Sequence, residues 1–211
     1  MPSNLSTIKG EFQVRGRACV PMILLCLLLS GCGAKTADQA KSLRHPYQKM
    51  TGCEMKAVVT CGVGSEDVQG FTLRCTYVPQ KKSTVEVLAP KEISGVRAEV
   101  DGKTLALIYD GKCLNAGDLS REKLSPAVCL PILMDALRDG WLLEQNPEKC
   151  GEIPCMRLAL DETGKKGGKI ISTIWLKHKG GIPVCGEIAV DGKIILRAEF
   201  TEFQFGDILS T

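Results

Sequence analysis

Cysteine is the residue whose placement in this sequence most readily does chemistry, and eleven are spread along its 211 residues. Cys32 closes the run Leu29-Ser30-Gly31-Cys32. Small residues ahead of it leave the backbone open to a peptidase, and a thiol is the nucleophile that can take an acyl or diacylglyceryl group. Cys53, Cys61 and Cys75 sit in alternating apolar segments, and Cys129 in a continuously apolar one, where a thiol can simply be a small hydrophobe. Cys150 and Cys155 are the one local pair that could close a short hairpin loop as a disulfide. Spacing alone leaves that bond open. Cys-x-x-Cys is absent, and His45 and His178 stand alone, so no metal site is expected.

Other catalytic patterns are missing. The chain has no Gly-x-Ser-x-Gly, no glycine-rich phosphate loop and no His-Glu-x-x-His. His178 lies in the charged stretch Lys177-His178-Lys179-Gly180-Gly181 and reads as a solvated loop residue. Acidic pairs such as Glu66-Asp67 and Asp161-Glu162 fall in expected turns. The expectation is a protein that is not an enzyme, with no cofactor other than covalent lipid on Cys32.

The segment before Cys32 gives that thiol its context. Lys9, Arg15 and Arg17 make a positive stretch, and Ala18 to Leu29 an apolar run too short to span a bilayer but as long as a signal-peptide core. Charge, apolar run and Leu-Ser-Gly-Cys, in that order, resemble the lipobox of bacterial lipoproteins. The resemblance implies a signal peptide over 1–31, cleavage between Gly31 and Cys32, lipid (palmitate among its acyl chains) on Cys32, and anchorage on the extracytoplasmic face of the cell membrane. Residues 32–46 are small and polar without clear periodicity and read as a tether. Residues 47–211 are long enough for one domain with a substantial core. The net charge is +3, and Lys9, Arg15 and Arg17 contribute to it. The chain from Cys32 onward is nearly neutral with interspersed signs, so nucleic acid is not an expected partner.

Alternation dominates after residue 50. Cys53, Met55, Ala57, Val59 and Cys61 share a face; so do Phe71, Leu73, Cys75 and Tyr77, and again Val85, Val87 and Ala89. That is the pattern of half-buried antiparallel strands. Asp101-Gly102, Asp110-Gly111 and Asp191-Gly192 each separate strand-like runs and supply the positive φ that tight hairpins need. Met156–Leu160 and Ile170–Leu176 form another pair across the loop 161–168. One helix stands out: Ser125 as N-cap, Pro126 in the first turn, an end near Asp139 and Gly140 after it. Val128, Leu130, Ile132, Leu133, Met134, Ala136 and Leu137 make it apolar round most of its circumference, which requires burial. Pro131 and Asp135 lie on its weaker face, with Arg138 placed to answer the acid. The fold class is therefore mainly β (α+β): a half-open curved antiparallel sheet or barrel packed on a buried apolar helix.

Three stretches carry a family resemblance: Cys75-Thr76-Tyr77-Val78-Pro79-Gln80-Lys81-Lys82-Ser83-Thr84-Val85-Glu86-Val87; Asp101-Gly102-Lys103-Thr104-Leu105 with Tyr109-Asp110-Gly111; and Thr173-Ile174-Trp175-Leu176, Gly181-Ile182-Pro183-Val184 and Glu199-Phe200-Thr201-Glu202-Phe203. Together they resemble the LolA/LolB-type lipoprotein-carrier superfamily, closest to clostridial GerS-like germination lipoproteins. Carrier members place an arginine shortly after the Pro-x-Lys segment, where it holds or releases the plugging helix; here that place reads Ser83-Thr84-Val85. The resemblance implies a LolA-like half-barrel acting through a protein partner, such as a peptidoglycan amidase, in cell-envelope, sporulation or germination processes. The alternative is binding or carriage of lipid in a cavity lined by Phe71, Leu73, Tyr77, Val85 and Val87 of the sheet and Leu130, Met134 and Leu137 of the helix.

Overall fold

The computed structural model describes residues 32–101, 104–118, 124–162 and 169–206. The sheet lies within the compact unit that spans residues 36–211. Eleven strands form a single antiparallel, unclosed sheet: β1 (Cys53–Cys61), β2 (Gln69–Tyr77), β3 (Ser83–Ala89), β4 (Arg97–Asp101), β5 (Thr104–Tyr109), β6 (Lys112–Asp118), β7 (Trp141–Cys150), β8 (Ile153–Asp161), β9 (Ile170–Lys177), β10 (Pro183–Val190) and β11 (Lys193–Phe205). Their order is β6-β5-β4-β3-β2-β1-β11-β10-β9-β8-β7. Two meanders thus meet where β1 pairs with β11, and β6 and β7 are the two edges.

The expected alternation is realised. Cys53, Met55, Ala57 and Val59 of β1, and Leu73, Cys75 and Tyr77 of β2, are buried, while the residues between them face out. Asp110-Gly111 and Asp191-Gly192 both take positive φ at both positions, as a type I′ turn requires. Gly102, and residues 163–168 of the 161–168 loop, lie outside the described residues.

Helix α2 (Pro126–Asp139) fills the inner side of the sheet. Val128, Cys129, Leu130, Leu133, Met134, Ala136 and Leu137 are fully buried against β1–β4 and β8–β11. Its caps differ from expectation. Ser125 makes no side-chain cap bond, and Gly140 is extended rather than left-handed. Gly140 is needed for room instead: a Cβ there would stand 2.7 Å from the Ala136 carbonyl oxygen. Gly186 of β10 is a second such position, where a Cβ would meet Leu133 Cδ1 at 2.8 Å. Pro131 is itself buried.

The segment read from the sequence as a tether without clear periodicity is helical. Residues Cys32–Lys49 form helix α1. Its local signal is weak, being polar with Pro46 inside, and a few tertiary anchors specify it. Ala40 and Tyr47 are buried. The Tyr47 ring packs on Phe203 and Phe205 at 5.8 and 5.1 Å between centroids, and its hydroxyl donates to the Gly181 carbonyl at 2.6 Å. Among the described residues no helix is long and apolar enough to cross a membrane.

Leu133 tests this architecture, since it is fully buried between α2 and Gly186. Leu133→Asp puts a carboxylate in an apolar site at a cost of several kcal/mol, comparable to the stability of a whole domain. We expect loss of the cooperative thermal transition, read by circular dichroism; a wild-type Tm would mean the helix is not enclosed.

Candidate functional site

The eight residues expected to line a cavity are brought together. Leu73, Tyr77, Val85, Leu130, Met134 and Leu137 are buried in one hydrophobic cluster, with Phe71 and Val87 packed partly buried against it. They pack with one another there, sheet against helix. Gly31 lies outside the described residues, as does the side chain of Cys32, the first residue of α1.

Two open features flank this cluster. The first is a cleft of about 410 Å³ along the outward face of α2, lined by Val128, Ile132, Asp135 and Arg138 of the helix and by Tyr77 and Val100 of the sheet. The Tyr77 hydroxyl donates to Asp135 at 2.5 Å. Arg138 turns instead to Asp139, at 3.2 Å, so the acid's direct partner is the tyrosine rather than the expected arginine. Burial, more than the hydrogen bond or the neighbouring guanidinium, sets Asp135, and its pKa is raised.

The second feature is a groove of about 560 Å³ lined by Ile93, Val96, Leu107, Tyr109 and Leu114. Leu105, Leu107 and Tyr109 alternate along β5, so the groove continues the inner face of the sheet beyond the end of the helix. Tyr109 and Leu114 are 55% and 67% exposed, which is unusual for side chains on the face that elsewhere makes the core. It borders β6, the sheet edge. At the opposite edge, Trp141 of β7 is 76% exposed.

The plugging helix is held by a residue that no motif in the sequence marks. Arg44 of α1 donates to three carbonyls at the C-terminal end of α2: Leu137 (2.5 Å), Gly140 (2.5 Å) and Ala136 (3.2 Å). The Leu137 and Gly140 carbonyls belong to those a helix end leaves without a helical partner, while that of Ala136 also accepts the Gly140 N–H at 2.9 Å, and a cation suits that end of the helix dipole. At Ser83, where a carrier-type arginine would follow Pro-x-Lys, the hydroxyl instead accepts from the Val78 N–H at 3.3 Å and closes a local turn. Arg44 carries no local signal because its partners lie more than ninety positions away.

Cys150 is bonded to Cys185 rather than to Cys155, which remains a buried thiol. In the β7–β8 hairpin Cys150 stands opposite Ile153, and Cys155 opposite Glu148, so the two are not direct cross-strand partners. Cys53, Cys75 and Cys129 are buried thiols as expected. Their pKa values are raised chiefly by burial, Cys53 to about 12. His178 is not purely solvated, since its Nδ1 lies 2.8 Å from Gln39 Nε2 of α1. Among the described residues no cluster of His, Cys, Asp and Glu could hold a metal.

No protein-family model matches the sequence, and no curated protein does. Solved structures with a similar chain trace exist. An outer membrane lipoprotein-sorting protein domain from Vibrio parahaemolyticus is 11% identical, with 84% of this chain and 94% of that one covered and a TM-score of 0.47. A LolA superfamily protein from Nitrosomonas europaea is 9% identical, with 82% and 95% covered and a TM-score of 0.46. LprF from Mycobacterium bovis is 13% identical, with 84% and 96% covered and a TM-score of 0.44. These similarities say nothing of activity.

Glu162, just past β8, gives the site's surroundings a pH dependence. Burial first, then the charges of Asp135 and Asp161, push its carboxyl up to about 7, against a bond from the Ser172 hydroxyl that lowers it. The folded protein therefore holds this proton up to about pH 7, while the unfolded chain releases it near the ordinary 4.5. The stability it contributes is full below that ordinary value and is lost as pH rises through about 7, on the order of 3 kcal/mol. Glu162→Gln should match wild type near pH 4 and melt higher than wild type near pH 8. Equal Tm values at both pH values would refute the assignment.

Proposed function

We propose that this chain is a non-enzymatic lipoprotein, anchored through lipid on Cys32 to the extracytoplasmic face of the cell membrane. In this reading its LolA-like domain is an accessory that binds a protein partner in the cell envelope. The observation that carries the proposal is the filling of the half-barrel. Seven side chains of α2 are fully buried against the inner face of the sheet. Besides the cleft beside α2, what remains available lies at the sheet edges: an apolar groove beside β6 and an exposed tryptophan on β7. Exposed apolar surface next to an unpaired strand is the kind of surface that docks a partner. The resemblance to GerS-like lipoproteins suggests a peptidoglycan amidase and a role in spore germination.

A second reading, lipid binding, draws on the same groove, whose apolar lining of about 560 Å³ falls within the size range of small-molecule sites. Mass spectrometry of delipidated, extracted protein separates the two, since recovered acyl species not attached to Cys32 would favour the ligand.

Two results test the proposal. Cys32→Ala should leave the precursor uncut and free of labelled palmitate; incorporation of label into the variant would overturn the anchor. Co-purification of an envelope amidase with the wild-type lipoprotein should be lost on Leu114→Asp combined with Tyr109→Ser, at unchanged Tm, because both side chains are already exposed. An amidase captured equally by the double variant would exclude this groove.

A further inference from the structure

The outer face of the sheet carries a second, smaller buried cluster. Along β8, Met156, Leu158 and Leu160 point into the main core, so Cys155, Arg157 and Ala159 point the other way. Along β10, Ile188 belongs to the core, and Gly186 faces Leu133. Cys185 and Glu187 therefore face out. Cys155 and Cys185 are nevertheless only 0% and 3% exposed. Cys150 is two positions beyond Glu148, which pairs with Cys155, so all three sulfurs belong to the outer face. Two of them form the Cys150–Cys185 disulfide. The third, on Cys155, lies near the backbone N–H of Cys150, which favours its thiolate form.

We propose that these three residues form a thiol–disulfide exchange site, in which Cys155 attacks the Cys150–Cys185 bond from within the molecule. The Cys155 thiolate adds to the Cys150 sulfur, the Cys150–Cys185 bond breaks, and Cys185 leaves as a thiolate that takes up the proton Cys155 lost. One disulfide and one thiol precede the step and follow it, so no external oxidant or reductant is consumed.

The surroundings suit the reaction. Lys177 of β9 stands directly opposite Cys155, and its ammonium favours the thiolate. The other ionisable groups on this face are Glu148, opposite the thiol on β7; Arg157, two positions along β8 and 3.7 Å from the Glu148 carboxylate; Glu187 of β10, paired with Arg197 at 3.4 Å; and the Lys149–Glu152 pair at the hairpin tip. Burial outweighs the two favourable contacts and raises the thiol's pKa. Exchange is accordingly slow at neutral pH and speeds up as pH rises. The two states differ mechanically. Cys150–Cys185 staples the tip of the edge hairpin β7–β8 to β10 and closes a separation of 35 positions. Cys150–Cys155 closes the hairpin on itself and leaves β10 untied, so the site sets how firmly the β7 edge is held.

The test uses the mature lipoprotein in detergent, incubated without added thiol or oxidant at pH values between about 7 and 9. The reaction is quenched in acid, alkylated and digested with trypsin. Cys150 and Cys155 lie on the same tryptic peptide, Cys150 to Arg157. Exchange therefore appears as that peptide lighter by a pair of hydrogens, together with alkylated Cys185. We expect the rate to rise about tenfold per pH unit, to fall in Lys177→Gln at unchanged Tm, and to vanish in Cys155→Ser. Retention of Cys150–Cys185 alone at the highest pH would overturn the proposal, as would release of Cys185 from the Cys155→Ser variant.

Discussion

A helix with apolar side chains on most of its circumference must be enclosed, and the fold is built on how α2 is enclosed. One sheet face cannot surround a helix unless the sheet curves, and an unclosed sheet of eleven strands supplies that curve from both flanks. Contact with both meanders, β1–β4 on one side and β8–β11 on the other, makes the helix the common core of two halves whose strands are joined through β1 and β11. Glycine at 186 and at 140 marks where this enclosure is tightest. Removing a buried side chain here would cost each half its packing surface at once.

Holding the helix in that enclosure falls partly to α1. Arg44 reaches the carbonyls at the end of α2, while Tyr47 fixes α1 to the β9–β10 turn and to β11, and Ala40 is buried alongside. The polar segment after Cys32 thus ends in a structural clasp on the core helix.

Much of this was legible in the sequence because the signals are local. Period-two burial in β1, β2 and β3, Asp-Gly at two hairpin turns, and the continuous apolar run after Ser125 each announce themselves within a dozen residues. The parts that escaped depend on distant partners. β7 reads Trp-Leu-Leu-Glu-Gln-Asn-Pro-Glu-Lys-Cys, without alternation, because an edge strand has little to bury. α1 is specified by Tyr47 and Arg44, whose partners lie roughly a hundred residues away. The Cys150–Cys185 bond crosses from the edge hairpin to β10, and no spacing rule reveals such a crossing. Among the site features, the eight residues named from the sequence as a cavity lining do lie together, where sheet packs on helix. The groove at β6 could not be named in advance, since an exposed Leu114 looks in sequence like any other strand leucine.

The central pairing of β1 with β11 sets the order in which this molecule can be made. Lys56 and Glu202, bridged at 3.3 Å, are 146 positions apart. A ribosome must therefore deliver almost all of the domain before its middle can close, and until then each meander exposes a bare inner strand. Topologies dominated by such distant contacts close slowly. Until β11 arrives as the keystone, the two meanders stay unjoined and the inner edges of both remain open.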